Sequence, residues 1–189
     1  MKRSFFLYPV ICISILFAAC GSNTTINESE ALSVISDYLE ARPEYKVISF
    51  RFGEIKFRGE KDQPELKKYR KLEESGLISM RLLEEKKRFL SKDSNYVYRI
   101  TLSEKSAPLV ISQSGDKAKV KSADYILDDK KPVNFIKVNE KSVKITLTLK
   151  REETEFYPFD NDKTANSEFI TKTYKLRLKK DDGWIVVSE

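Results

Sequence analysis

Histidine is absent from the 189 residues, and cysteine occurs only twice, at Cys12 and Cys20. Without an imidazole, no Ser-His-Asp or Cys-His relay can be built. Zinc sites of the His or mixed Cys/His kind are excluded on the same ground. Proton transfer near neutral pH would fall to a carboxylate, lysine or tyrosine with a strongly displaced pKa. The sequence therefore favours a non-enzyme. Six glycines are scattered along the chain and form no phosphate-cradling loop. Neither sign of charge dominates: 35 basic residues face 29 acidic ones, for a net charge of +6. That balance describes a mixed surface and not a nucleic-acid-binding tail. The apolar run from Phe5 to Ala19 is shorter than the about 20 residues a spanning helix needs.

That run has another use. Lys2 and Arg3 precede it, Pro9 and Ser14 interrupt it, and the small residues Ala18 and Ala19 close it before Cys20. A positive start, an apolar centre and a small-residue end predict a secretory signal peptide over residues 1–19. Phe17-Ala18-Ala19-Cys20 resembles the lipobox of bacterial lipoproteins, although Phe17 stands where an aliphatic residue is usual. The resemblance implies transfer of a diacylglycerol carrying palmitate-type chains to the Cys20 thiol, followed by cleavage before Cys20. A membrane-held protein of the cell envelope follows, at the outer membrane or cell surface rather than the inner membrane. Each buried methylene contributes about 0.8 kcal/mol, so two or three chains anchor where one would not. Loss of the leader removes Lys2, Arg3 and Cys12, leaving 170 residues of net charge +4 and no possible internal disulfide. Residues 20–28 hold the lipidated cysteine and a polar tether, Gly21 to Glu28, which reaches at most about 26–29 Å.

Residues 29–111 predict a helix-rich part. Asn27 with Glu30 makes a capping box. Ala31, Leu32, Val34, Ile35, Tyr38 and Leu39 then recur at helical spacing up to the break imposed by Pro43. Tyr45 to Phe57 reads as one long strand whose apolar parity changes at Gly53, as a β-bulge would require. Asp62-Gln63-Pro64 opens a second helix, with Leu66, Tyr69 and Leu72 on its buried face and Gly76 beyond its end. Met80 to Leu90, rich in Leu, Glu, Lys and Arg, is expected to form a third helix supported by Glu84 and Arg88. Tyr96, Tyr98, Ile100 and Leu102 alternate as a strand, with a return strand near Leu109 to Ile111. The stretch Tyr69 to Ile78 followed by Tyr98-Arg99-Ile100-Thr101 is similar to a winged-helix domain. That resemblance implies DNA binding, but an exported, tethered chain meets no chromosome, so no nucleic-acid partner is expected.

Residues 112–189 read as an antiparallel sheet, either separate from 29–111 or one domain with it. Val120 to Leu127, Val133 to Val138, Val143 to Leu149 and Ile170 to Lys179 are extended, and Asp181-Asp182-Gly183 turns the chain into a last strand. The phrase Asp182-Gly183-Trp184-Ile185-Val186 is similar to the final strand of NTF2-like domains. The fold class expected for the whole chain is thus α+β, a helix-rich half packed with a C-terminal antiparallel sheet.

If 143–150 and 170–179 pair, Lys144, Lys150, Lys175, Arg177 and Lys179 form a positive strip on the outward face. Near an anionic membrane each such cation contributes about 1 kcal/mol. An acidic glycan, a lipid or an envelope protein is the partner such a strip fits. Lysines on exposed strands also serve simply to discourage edge pairing. Asp160 to Glu168 carries oxygen ligands at alternate positions, but Ala165 and Thr171 stand where a calcium loop needs glycine and glutamate. It reads as a solvated loop, and neither a metal nor a cofactor is expected. Phe156, Tyr157 and Phe159 are expected to cover the end of the sheet, and Glu152, Glu153 and Glu155 show no pattern that fixes a catalytic pair. The function expected is a binding or accessory role at a membrane surface. An envelope enzyme with a carboxylate site is the alternative, and a winged-helix nucleic-acid binder comes third.

Overall fold

A computed structural model describes residues 25–87, 94–128, 130–131, 133–162 and 167–188. The expected signal peptide, Cys20 and most of the tether lie outside these residues, as does 163–166 of the calcium-like loop.

Helix α1 (Glu28–Ala41) begins at the capping box read from the sequence. The Asn27 side chain accepts from the Glu30 amide at 2.9 Å, and Glu30 accepts from the Asn27 amide at 3.0 Å. Strand β1 (Glu44–Arg51) follows Pro43, and β2 (Gly53–Arg58) follows Phe52. The change of parity at Gly53 is not a bulge within one strand. Gly53 adopts a φ of 86° and passes the chain from one sheet to another. After a 3-10 turn, α2 (Gln63–Glu74) buries Leu66, Tyr69 and Leu72 and ends at Gly76, with a φ of 77°.

The helix expected over Met80 to Leu90 is instead β3 (Ile78–Lys87), with 88–90 outside the described residues. It pairs with β4 (Ser94–Leu102) from Ile78 opposite Leu102 to Lys87 opposite Ser94. Helix propensity loses here because the ladder offered by β4 lets Ile78 and Met80, two residues apart, pack on the core beneath α2. The Met80 amide also donates to Glu73 Oε1 at 2.9 Å. Glu84 pairs with Lys86 at 2.7 Å, a strand spacing.

Strand β5 (Val110–Ser114) joins not β4 but β6 (Lys117–Leu127), so the wing hairpin does not form. Then come β7 (Asn134–Asn139), β8 (Ser142–Glu153), β9 (Phe169–Lys179) and β10 (Gly183–Ser188). The described residues thus hold ten strands and two α-helices, and the protein is mostly β. The helix-rich half and the winged-helix resemblance are both overturned.

Every strand pairing is antiparallel. One sheet runs β1-β6-β8-β9-β10, with β5 on β6 and β7 on β8; the other runs β2-β4-β3. Strand β1 therefore carries residues 44–51 into the sheet made by the C-terminal strands. Two apolar clusters lie on one face of the large sheet. In the first, Phe50, Ala118 and Val120 meet Tyr69 and Leu72 of α2, Phe57 and Ile100 of the small sheet, and Phe156. Its centre is aromatic: Phe50 lies 5.4 Å from Tyr69 and 5.0 Å from both Phe156 and Phe159. In the second, Ala31 and Ile35 of α1 cover Val143, Ile145, Leu147, Leu149, Tyr174 and Leu176. The opposite face of β8 and β9 is left to solvent.

Candidate functional site

Alternation along β8 sends Val143, Ile145, Leu147 and Leu149 under α1, leaving Ser142, Lys144, Thr146, Thr148 and Lys150 on the other face. Antiparallel pairing with β9 then fixes which outward side chains meet. Lys144 lies opposite Lys175, Thr146 opposite Thr173, Thr148 opposite Thr171, Lys150 opposite Phe169, and Ser142 opposite Arg177. The Thr146 and Thr173 hydroxyls hydrogen-bond at 2.8 Å. Further pairings add Ile136 beside Lys144, Ile126 beside Lys150 and Ile185 beside Arg177.

The strip foreseen from the sequence is therefore assembled unevenly. Lys144, Lys175 and Arg177 cluster at the β7–β8 hairpin end. Two rows of threonines separate Lys150 from them. Lys179 sits at the β9–β10 turn, its Nζ 3.7 Å from Asp182 Oδ2. Lys144, Lys150, Lys175 and Arg177 have no anionic partner among the described residues. A like-charged pair set directly across two strands costs stability. Sequence reasoning missed the aliphatic part of this face. Ile126, Ile136 and Val138 are 41%, 49% and 50% exposed, far more than aliphatic side chains of a closed core.

A shallow cleft of about 600 Å³ opens where the β7–β8 hairpin meets β9, lined among others by Val138, Glu140, Lys141, Ser142, Lys175 and Arg177. The Asn139 carboxamide accepts from the Lys141 amide at 2.9 Å, and the Leu178 amide donates to the Lys141 carbonyl at 3.0 Å. These bonds hold the hairpin against β9. Ser142 is 5% exposed, and its hydroxyl has no hydrogen-bond partner among the described residues. Leaving such a group unsatisfied costs about 1–3 kcal/mol. The signal for Ser142 was present in the alternation, one place before Val143 on the lysine side.

Several other ionic groups tie strands and loops together. Lys46 Nζ lies 2.7 Å from Asp160 Oδ2 and 3.4 Å from Asp162 Oδ2. Burial pulls the Lys46 pKa down, but hydrogen bonding and attraction to Asp160, with help from Asp162, more than offset it, so the ammonium is held above its ordinary value. The first acids of the calcium-like loop thus grip a lysine of β1. Arg151 pairs with Glu153 at 3.0 Å and stacks on Tyr157, and Lys172 pairs with Glu44 at 3.2 Å. Phe156 is fully buried. Asp124 and Glu152 face each other across β6 and β8 in a second cleft with Glu40, Glu44 and Lys121. Glu155 lies apart from that pair, in another cleft beside Lys68 and Lys71.

No family model, curated protein or solved structure matches the chain.

Proposed function

We propose that this chain is a lipid-anchored protein of the bacterial cell envelope that binds rather than catalyses. Cys20 holds it to the membrane, at the outer membrane or cell surface, and the outward face of β7 to β10 meets an acidic partner. The observation that carries the reading is that one sheet face carries four cations, Lys144, Lys175 and Arg177 clustered and Lys150 beyond them, without anionic partners among the described residues. An intramolecular ion pair would have been cheap to build there, and an external anion completes the electrostatics instead. The lipobox-like stretch supplies the membrane, and residues 20–27 are too few to let the folded part move far from it.

Two measurements test this. Mass spectrometry of the N-terminal peptide from fractionated cells is expected to find Cys20 acylated and the chain in the envelope. The chain is also expected to be retained on an acidic matrix such as alginate, and to lose retention when all four cations become glutamine with an unchanged circular dichroism spectrum. An unmodified cytosolic chain, or one that binds no acidic matrix or surface, would sink the proposal.

A further inference from the structure

Resting on that reading, we infer that the acidic partner is the phosphate layer of an anionic phospholipid bilayer, with one headgroup phosphate seated in the cleft between the β7–β8 hairpin and β9. Three observations converge. The cleft is lined by three cations, Lys141, Lys175 and Arg177, against one carboxylate, Glu140, so it selects an anion. Arg177 presents a planar fork suited to phosphate oxygens. Ser142, opposite Arg177 in the register, brings a buried hydroxyl that lacks a partner among the described residues and can donate to a phosphate oxygen on turning into the cleft. Finally, the cations are rimmed by exposed aliphatic side chains, Val138 in the cleft and Ile136 beside Lys144.

The aliphatic rim decides the class of partner. A hydrated acidic glycan offers no apolar layer for Ile136 and Val138, and their exposure would go uncompensated. A bilayer offers phosphates for the cations and, directly beneath, acyl chains for the aliphatics. The threonine rows between Lys144 and Lys150 are neutral and carry no competing charge. Helix α1, which the tether enters, covers the opposite face of β8 and β9 and leaves this one open.

The test uses residues 21–189 without an acyl group, since every described element lies within 25–188. Sedimentation with phosphatidylcholine vesicles, with and without phosphatidylglycerol, reads lipid binding directly. Binding is expected only with phosphatidylglycerol and is expected to weaken as salt is added. Lys175→Gln and Arg177→Gln are each expected to weaken it about fivefold. Lys67→Gln, which removes a cation from exposed α2 surface, is expected to leave it unchanged. Ile136→Ser with Val138→Ser is expected to weaken vesicle binding but not retention on alginate. Equal binding to both vesicle types, or an effect of Lys67→Gln as large as that of Lys175→Gln, would overturn the inference. Retention on alginate without vesicle binding would overturn it while leaving the proposed function standing. Full release from vesicles by millimolar inorganic phosphate at constant ionic strength would mark a site for free phosphate and overturn the lipid assignment. Binding to neither matrix nor vesicle would remove both proposals.

Discussion

Lys144 and Lys175 stand directly opposite each other across β8 and β9, with no carboxylate paired to either among the described residues. Such a pair is mildly destabilising in a sheet, on the order of 0.2–1 kcal/mol. Lys144→Glu is accordingly expected to raise stability to urea by about 0.5–1 kcal/mol through a new cross-strand ion pair. The gain is expected to shrink as salt screens the exposed charges. Urea midpoints at two salt concentrations check this, and an unchanged or lower midpoint would show that the two ammonium groups do not interact.

The Lys46 clasp predicts a pH dependence at the alkaline end. Its ammonium is held above the ordinary value of 10.5, so the folded form keeps its proton where the unfolded chain releases it. Stability from this group is complete below the unfolded value and is lost as pH rises through the folded one. The wild-type chain is therefore expected to lose stability above about pH 10.5 more steeply than Lys46→Met. At neutral pH, Lys46→Met is expected to cost about 1.5–3 kcal/mol, because it leaves the Asp160 carboxylate with its lysine removed. Chemical denaturation of both chains across that pH range is the measurement.

Phe50 and Tyr69 separate packing from polarity within one cluster. Phe50→Ala removes a ring in contact with Tyr69, Phe156 and Phe159 and is expected to cost about 3–5 kcal/mol. Tyr69→Phe keeps the ring and deletes only the hydroxyl that donates to the Arg51 carbonyl at 2.9 Å, at a cost of about 1 kcal/mol. Burial, aided by Glu65 and opposed by Arg51, pushes the Tyr69 phenol above its ordinary range. Tyr69→Phe should therefore also flatten the stability loss above about pH 10, where the unfolded phenol ionises. Equal costs for the two substitutions would contradict this division.

Gly53→Ala is expected to destabilise by about 1–2 kcal/mol. The cost is conformational and not steric: a Cβ there would meet Asp116 Cβ at an ordinary 3.7 Å, but φ is 86°. Thermal unfolding should show a lower midpoint, while Gly115→Ala, with open space at its Cβ position, separates strain from contact.

Local chemistry was legible wherever a residue's role is decided by near neighbours. The Asn27–Glu30 box, the break at Pro43 and the positive-φ stop at Gly76 all involve partners within a turn or two. The alternation of 143–150 likewise put the right side chains under α1 and the lysines outside. The third helix failed because Leu82, Leu83, Glu84 and Glu85 favour a helix in isolation. Only β4, across a connecting segment, makes them a strand. Gly53 marked a real change of direction, but parity alone cannot say whether a strand bulges or leaves its sheet. The cleft at Ser142 depends on the meeting of a hairpin with β9, and no spacing in the sequence encodes that encounter.

The way Phe50 is enclosed has a temporal consequence. Two of its three ring neighbours, Phe156 and Phe159, lie more than a hundred positions further along the chain, and Lys46 reaches Asp162 across 116 positions. An elongating chain that has not yet produced Phe156 has an unclosed interior however many hairpins it has already zipped. A product truncated there is expected to be read by proteases as loose polymer. Until its final quarter is made, the Phe50 cluster stays open on the side that Phe156 and Phe159 cover.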